Sequence, residues 1–172
     1  MTAIYSKIAQ QAAEHYARTG VYMPVPNMIP QDLLTQKACY VSLVEQPGNR
    51  VRGSFGTPLP QSSSLAQEII KNTVEAIVQY DIRMRPIDAM NYGYVVGVLG
   101  PIERITDKEH LRPRIYGLYM RSDKNKMAIL LPGRLGIDTA DEQIATAIRE
   151  AGINQQHETI TMYRFPVTSY GP

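Results

Sequence analysis

Gln46-Pro47-Gly48-Asn49 constrains the fold more than any other stretch of this chain. Proline fixes one backbone dihedral, and glycine and asparagine tolerate positive φ, so the four residues read as a turn. Before it, Lys37 to Glu45 alternates as a strand, with Ala38, Tyr40, Ser42 and Val44 on one face and Cys39, Val41 and Leu43 on the other. After it, Arg50 to Phe55 returns as the partner strand. A short turn can join only antiparallel neighbours, because parallel strands need a long crossover. The stretch Val51-Arg52-Gly53-Ser54-Phe55-Gly56-Thr57 lies at the exit of this hairpin. Its two glycines bracket a hydroxyl residue behind an arginine, which reads as a ligand-facing turn with exposed backbone N–H groups.

The other elements follow from the same kind of signal. Residues 3–19 carry apolar side chains at helical spacing, and Gly20 stops the helix. Pro24, Pro26 and Pro30 then predict irregular chain until about Thr35. Ser64 and Gln67 have capping-box spacing. The helix they start places Leu65, Ala66, Ile69, Ile70, Thr73, Val74, Ile77 and Val78 inward, with Glu68, Lys71 and Glu75 outward. It ends near Tyr80, and an irregular segment follows from Asp81 to Pro86. Tyr92–Leu99 reads as a strand, and Ile102–Ile105 as a brief continuation. Arg114–Ser122 and Lys126–Leu131 form a second hairpin around Asp123-Lys124-Asn125. Thr139 and Glu142 cap a third helix that stops at Gly152, and Thr159–Thr168 is a last strand. Hairpins dominate and strict strand–helix alternation is missing, so the class is α+β with a largely antiparallel sheet. No repeat or domain linker interrupts residues 1–172, which read as one domain.

Charge and composition exclude several function classes. The 18 basic residues are scattered among 16 acidic ones, leaving a net charge of +2, so electrostatics neither demand nor exclude a nucleic-acid partner, but no basic stripe is visible and long-range steering is not expected. No apolar run approaches the ~20 residues that span a bilayer. The single cysteine, Cys39, rules out an intramolecular disulfide and suits a reducing compartment. With no apolar secretory core near the N-terminus, the expected location is the cytoplasm.

Chemical motifs are few. His15, His110 and His157 stand apart, without metal-ligand spacing, so no metal is expected. The chain lacks a phosphate-binding loop and the dinucleotide-binding glycine spacing, so no cofactor is expected either. No nucleophile-elbow pattern surrounds a serine. Cys39 reads as a nucleophile only if a cation lowers its pKa, and otherwise as a buried sheet residue. Ser54 needs an adjacent base, and is otherwise a hydroxyl bonded to backbone. Asp81 and Arg83 are placed to pair with each other or with a ligand.

The order of these segments resembles the AMMECR domain, also called the AmmeMemoRadiSam system protein A family. The resemblance runs through Ala38-Cys39-Tyr40-Val41-Ser42-Leu43, the Val51–Thr57 stretch, and Asp81-Ile82-Arg83-Met84-Arg85-Pro86. It continues through Tyr94–Leu99 with Pro101-Ile102-Glu103, Tyr116-Gly117-Leu118, Leu130-Leu131-Pro132, Glu150-Ala151-Gly152-Ile153 and Arg164-Phe165. Together these cover about residues 5–170. The family pattern reads Leu-Arg-Gly-Cys-Ile-Gly at the first glycine pair. Arg52, Gly53 and Gly56 carry over, while Ser54 stands where that pattern has cysteine. Its Asp-Pro-Arg-Phe pattern keeps Asp81 and Arg83, with Ile82 and Met84 departing. The segment from Pro86 to Tyr92 is shorter than the pattern and lacks its Glu-Leu pair.

The resemblance implies two unequal lobes with a groove between them, and companionship with a Memo-like protein and a radical S-adenosylmethionine protein. It supplies no activity. Besides a nucleic-acid-binding module, the weakest reading at this near-neutral composition because it predicts a contiguous basic face and steep salt dependence, two readings stand. In one, the chain is a binding or accessory protein whose Arg52, Gly53, Ser54, Gly56, Asp81 and Arg83 hold a small anionic ligand or an acidic partner segment. In the other it is an enzyme with Ser54 or Cys39 as nucleophile and Asp81 or Arg83 orienting the substrate. Nothing in the sequence fixes the oligomeric state.

Overall fold

The computed structural model describes residues 3–172 and divides into two compact units. The first comprises residues up to Val98 together with Thr168–Pro172; the second is Leu99–Val167. Every strand pairing described in either unit is antiparallel, as the hairpin turns require. The fold is α+β, with helices flanking an antiparallel sheet.

In the first unit, helix α1 (Ala3–Thr19) and helix α2 (Leu65–Gln79) cover one face of the strands β1 (Cys39–Glu45), β2 (Val51–Gly56) and β3 (Tyr92–Leu99). Cys39, Val41 and Leu43 alternate into this core, where all three are wholly buried. Between β1 and β2 the chain turns as the sequence predicts, with Gly48 and Asn49 both at positive φ. The segment after α1 is not wholly irregular. A 3-10 turn at Gln31–Leu34 drives Leu33 into the core, and so pins the proline-rich connection to the helices.

Helix α2 departs from the expected pattern in three ways. Ser64 caps it by accepting from the Gln67 N–H, but the Gln67 side chain accepts from the Ser63 hydroxyl instead of returning to Ser64. Val78, expected inside, is 55% exposed. Glu68, expected outside, is fully buried. Both its oxygens accept from the Gln61 backbone N–H, at 3.2 and 3.1 Å, so the carboxylate satisfies a loop amide that has no ladder partner.

In the second unit, β7 (Ile160–Tyr170) pairs with β4 (Glu103–Ile105) and β5 (Tyr116–Ser122), and β5 pairs with β6 (Met127–Leu130). Helix α3 (Ala140–Ala151) buries Ala147 against Leu118, Met120 and Leu130. Its Thr139–Glu142 capping box is complete, and Gly152 ends it in the left-handed conformation at φ 64°. Among the described residues no helix is long and apolar enough to cross a membrane.

Candidate functional site

The return strand expected over Arg50–Phe55 is present as Val51–Gly56, so the glycine-bracketed stretch lies within the strand and does not turn at its exit. Val51 to Gly56 forms β2, and its two glycines serve opposite faces of the sheet. A methyl group on Gly53 would lie 3.0 Å from the Ala76 carbonyl oxygen and 3.0 Å from Ile82 Cδ1, so the missing side chain lets α2 approach β2. On the other face the Tyr40 ring lies across Gly56, where a methyl would come within 2.4 Å of Tyr40 Cδ2. Packing therefore accounts for both glycines.

Register explains Arg52. Leu43 pairs with Gly53 and Val44 with Val51, which leaves Arg52 as the extra residue of a β-bulge. Bulges bend the strand and re-aim a side chain. Here the guanidinium Nη1 lies 3.1 Å from Glu45 Oε1, at the end of β1.

Among the described residues neither candidate nucleophile is hydrogen-bonded to a base. Ser54 Oγ lies 2.9 Å from Ser42 Oγ, its directly paired neighbour, and no imidazole or carboxylate among the described residues bonds to it. Cys39 is wholly buried. Burial pushes its thiol pKa up and the Glu68 charge adds to the shift, against a smaller lowering by Asn72. Thiolate formation, which nucleophilic attack requires, is therefore opposed. The Asn72 amide donates to the Cys39 carbonyl at 2.8 Å, which ties α2 to β1.

Asp81 ends helix α2. It adopts φ 48°, its N–H donates to the Val78 carbonyl at 3.2 Å, and the Ile82 N–H reaches the Ile77 carbonyl at 2.9 Å. That pair of bonds is the Schellman termination, with aspartate in the position glycine usually fills. No ion pair joins Asp81 to Arg83 among the described residues.

Arg83 instead lines a polar, open pocket of about 310 Å³ in the first unit, with Glu45, Gln46, Asn91 and Tyr92 among its other walls. Pro47 and Asp88 complete the lining. Glu45 thus links the two arginines: it belongs to this wall and pairs with Arg52 behind it. Asp88 is held by Arg85, whose Nε and Nη2 donate at 2.9 and 3.0 Å and whose backbone N–H donates at 2.9 Å. The Arg85 side chain first, and then its backbone N–H, hold the Asp88 carboxyl below the ordinary carboxylate range. Arg83 has neither a hydrogen bond nor an ion pair among the described residues.

Of the predicted residues, then, Arg83 lines a pocket and Arg52 approaches it through Glu45. Gly53, Ser54, Gly56 and Asp81 have packing, cross-strand or capping partners. Glu45, Asn91 and Tyr92 escaped the sequence reading, although Glu45 directly precedes the turn that does fix the hairpin. No three His, Cys, Asp or Glu side chains come together to hold a metal among the described residues.

Comparison with known proteins agrees with this architecture. The AMMECR1 family model matches residues 6–170. A protein of Thermotoga maritima is 32% identical over 170 residues, covering 96% of this chain and 96% of that protein. A longer protein of Clostridium acetobutylicum is 29% identical, and the match covers 96% of this chain but 35% of the relative. The crystal structure of an uncharacterised protein from Pyrococcus horikoshii superposes with a TM-score of 0.83 at 22% identity, over 96% of this chain and 88% of that one. The fold is shared, and the match to the family model runs through both units: the chain belongs to the AMMECR1 family.

Proposed function

We propose that the protein is a binding or accessory protein whose Arg83 pocket recognises a carboxylate, on a small ligand or on a segment of a partner. One observation carries this reading. Arg83 is a guanidinium without a protein partner, in a pocket whose two carboxylates are each already paired with another arginine. A forked cation in that position retains its full capacity for a bidentate bond to a carboxylate. The volume of about 310 Å³ sits at the low end of the ~300–1,000 Å³ range of ligand pockets. The missing base at Ser54 and the burial of Cys39 weigh against nucleophilic catalysis. In this reading the partners are the Memo-like and radical S-adenosylmethionine proteins that the resemblance implies, and one of them presents a carboxylate to the binding site.

The test is calorimetric titration of wild type, Arg83→Met and Arg52→Gln with N-acetylglycine, a simple carboxylate, followed by titration with the two partner proteins. Arg83→Met should weaken N-acetylglycine about tenfold, the loss of one charge-assisted hydrogen-bond pair. Identical isotherms for wild type and Arg83→Met would remove the basis of the proposal.

A further inference from the structure

Resting on that carboxylate-binding reading, we infer that the pocket selects a zwitterion, a small molecule of the amino-acid or dipeptide type carrying an ammonium group beside its carboxylate. The pocket wall is not uniformly basic. Arg83 presents donors, whereas Glu45 presents a carboxylate that pairs with the Arg52 guanidinium at 3.1 Å. No hydrogen bond to the Glu45 carboxylate accompanies that ion pair among the described residues. Asp88 differs, because three donors from Arg85 occupy it.

An anion entering this space meets an attractive Arg83 and a repulsive Glu45. A ligand with both charges satisfies Arg83 with its carboxylate and Glu45 with its ammonium. The Asn91 and Gln46 side chains supply neutral donors and acceptors for the atoms between. A phosphate dianion doubles the attraction to Arg83 and the repulsion from Glu45 alike and offers Glu45 no cation, so the zwitterion is preferred to it.

Selectivity between these classes is readable by NMR titration of ¹⁵N-labelled protein, following the Arg83 Nε and the Asn91 and Gln46 side-chain amides. Glycylglycine is the zwitterion, N-acetylglycine the carboxylate alone, methylamine the ammonium alone, and inorganic phosphate the dianion. Glycylglycine should bind about tenfold tighter than N-acetylglycine, and phosphate more weakly than glycylglycine. Glu45→Gln keeps the shape, removes the ammonium partner and releases Arg52. It should abolish the preference for glycylglycine and strengthen N-acetylglycine. Arg52→Gln leaves Glu45 uncompensated, so it should strengthen methylamine and weaken N-acetylglycine, and it serves as an independent check should Glu45→Gln lose its native circular dichroism.

The two readings fail differently. If Arg83→Met weakens both carboxylates while neither Glu45→Gln nor Arg52→Gln alters the ratio between them, the zwitterion inference is overturned and the carboxylate site survives. If Arg83→Met changes nothing, or no probe perturbs these resonances, both are overturned. Phosphate binding as tightly as glycylglycine also overturns the inference.

Discussion

Replacing Asp81 with asparagine should stabilise the protein. Helix α2 ends in a left-handed residue, and aspartate and asparagine both tolerate φ 48°, so the substitution keeps the backbone geometry. What it removes is a negative charge at the end of the helix where the last carbonyls already concentrate negative potential. The Ile77 and Val78 carbonyls are engaged by the capping N–H groups, but no cation pairs with Asp81 among the described residues to offset its charge. An unfavourable charge in the last turn costs about 0.3–1 kcal/mol at low salt. For a domain of 150–250 residues this converts to a rise in melting temperature of roughly 1–4 °C. The chain has no tryptophan, so the assay is urea and thermal unfolding followed by circular dichroism at 222 nm. Measurements in ~10 mM and ~1 M salt separate the causes, because the screening length falls from about 30 to about 3 Å between them. The gain should shrink several-fold in the higher salt. A loss of stability, or a gain independent of salt, would refute the electrostatic reasoning. N-acetylglycine affinity should not change, since Asp81 caps the helix and does not line the pocket.

Cys39 should resist thiol reagents in the native protein and react fully in denaturant, because it is wholly buried with its ionisation opposed; rapid native labelling would contradict that placement. Ser54→Ala should cost about 0.5–1.5 kcal/mol through the lost bond to Ser42, and a double-mutant cycle with Ser42→Ala should return most of that as coupling. Zero coupling would mean that the hydroxyls do not bond. Gly56→Ala should destabilise by about 1–3 kcal/mol through overpacking against Tyr40 and the Cys39 carbonyl, and a neutral result would reject the packing role of that glycine. In the second unit, Lys126 holds Glu158 at 2.6 Å and lowers its pKa to about 2, with the Asn154 N–H adding to the shift. A folded pKa below the unfolded one contributes stability above about pH 4.3, lost as the pH falls towards 2. Glu158→Gln should therefore flatten the stability–pH curve between pH 5 and 2, roughly the span between the unfolded and folded values. A curve as steep as that of wild type would exclude this pair.

Most of the fold is legible in the sequence because its signals are local. The Gln46–Asn49 turn, the Thr139 and Ser64 caps and the Gly152 stop each depend on residues within a few positions, and each lies where the sequence puts it. Glu68 shows where local reading ends. Charge alone assigns it outward, yet Leu65, Glu68, Asn72 and Ala76 recur at spacings of three and four and form one buried stripe. The period was present, but the partner that makes burial tolerable, the Gln61 N–H, belongs to a loop whose path no local rule predicts. Val78 is the converse case: an apolar side chain expected inside by its spacing, yet 55% exposed. Which positions of a helix end are covered is a tertiary fact.

The site was less legible for a related reason. A glycine that accommodates a ligand and a glycine that accommodates another part of the protein leave the same mark in a sequence. Gly53 yields to the Ala76 carbonyl and Gly56 to the Tyr40 ring, and neither contact is visible before β1, β2 and α2 are assembled. Arginine is different, because an unpaired guanidinium in a packed fold has to face water or a ligand. Arg52 and Arg83 are equivalent by composition, but the bulge commits Arg52 to Glu45 while Arg83 remains unclaimed. The feature that distinguishes a recognition residue here is thus the absence of a protein partner, and that becomes readable only once every other charge around the pocket has been paired.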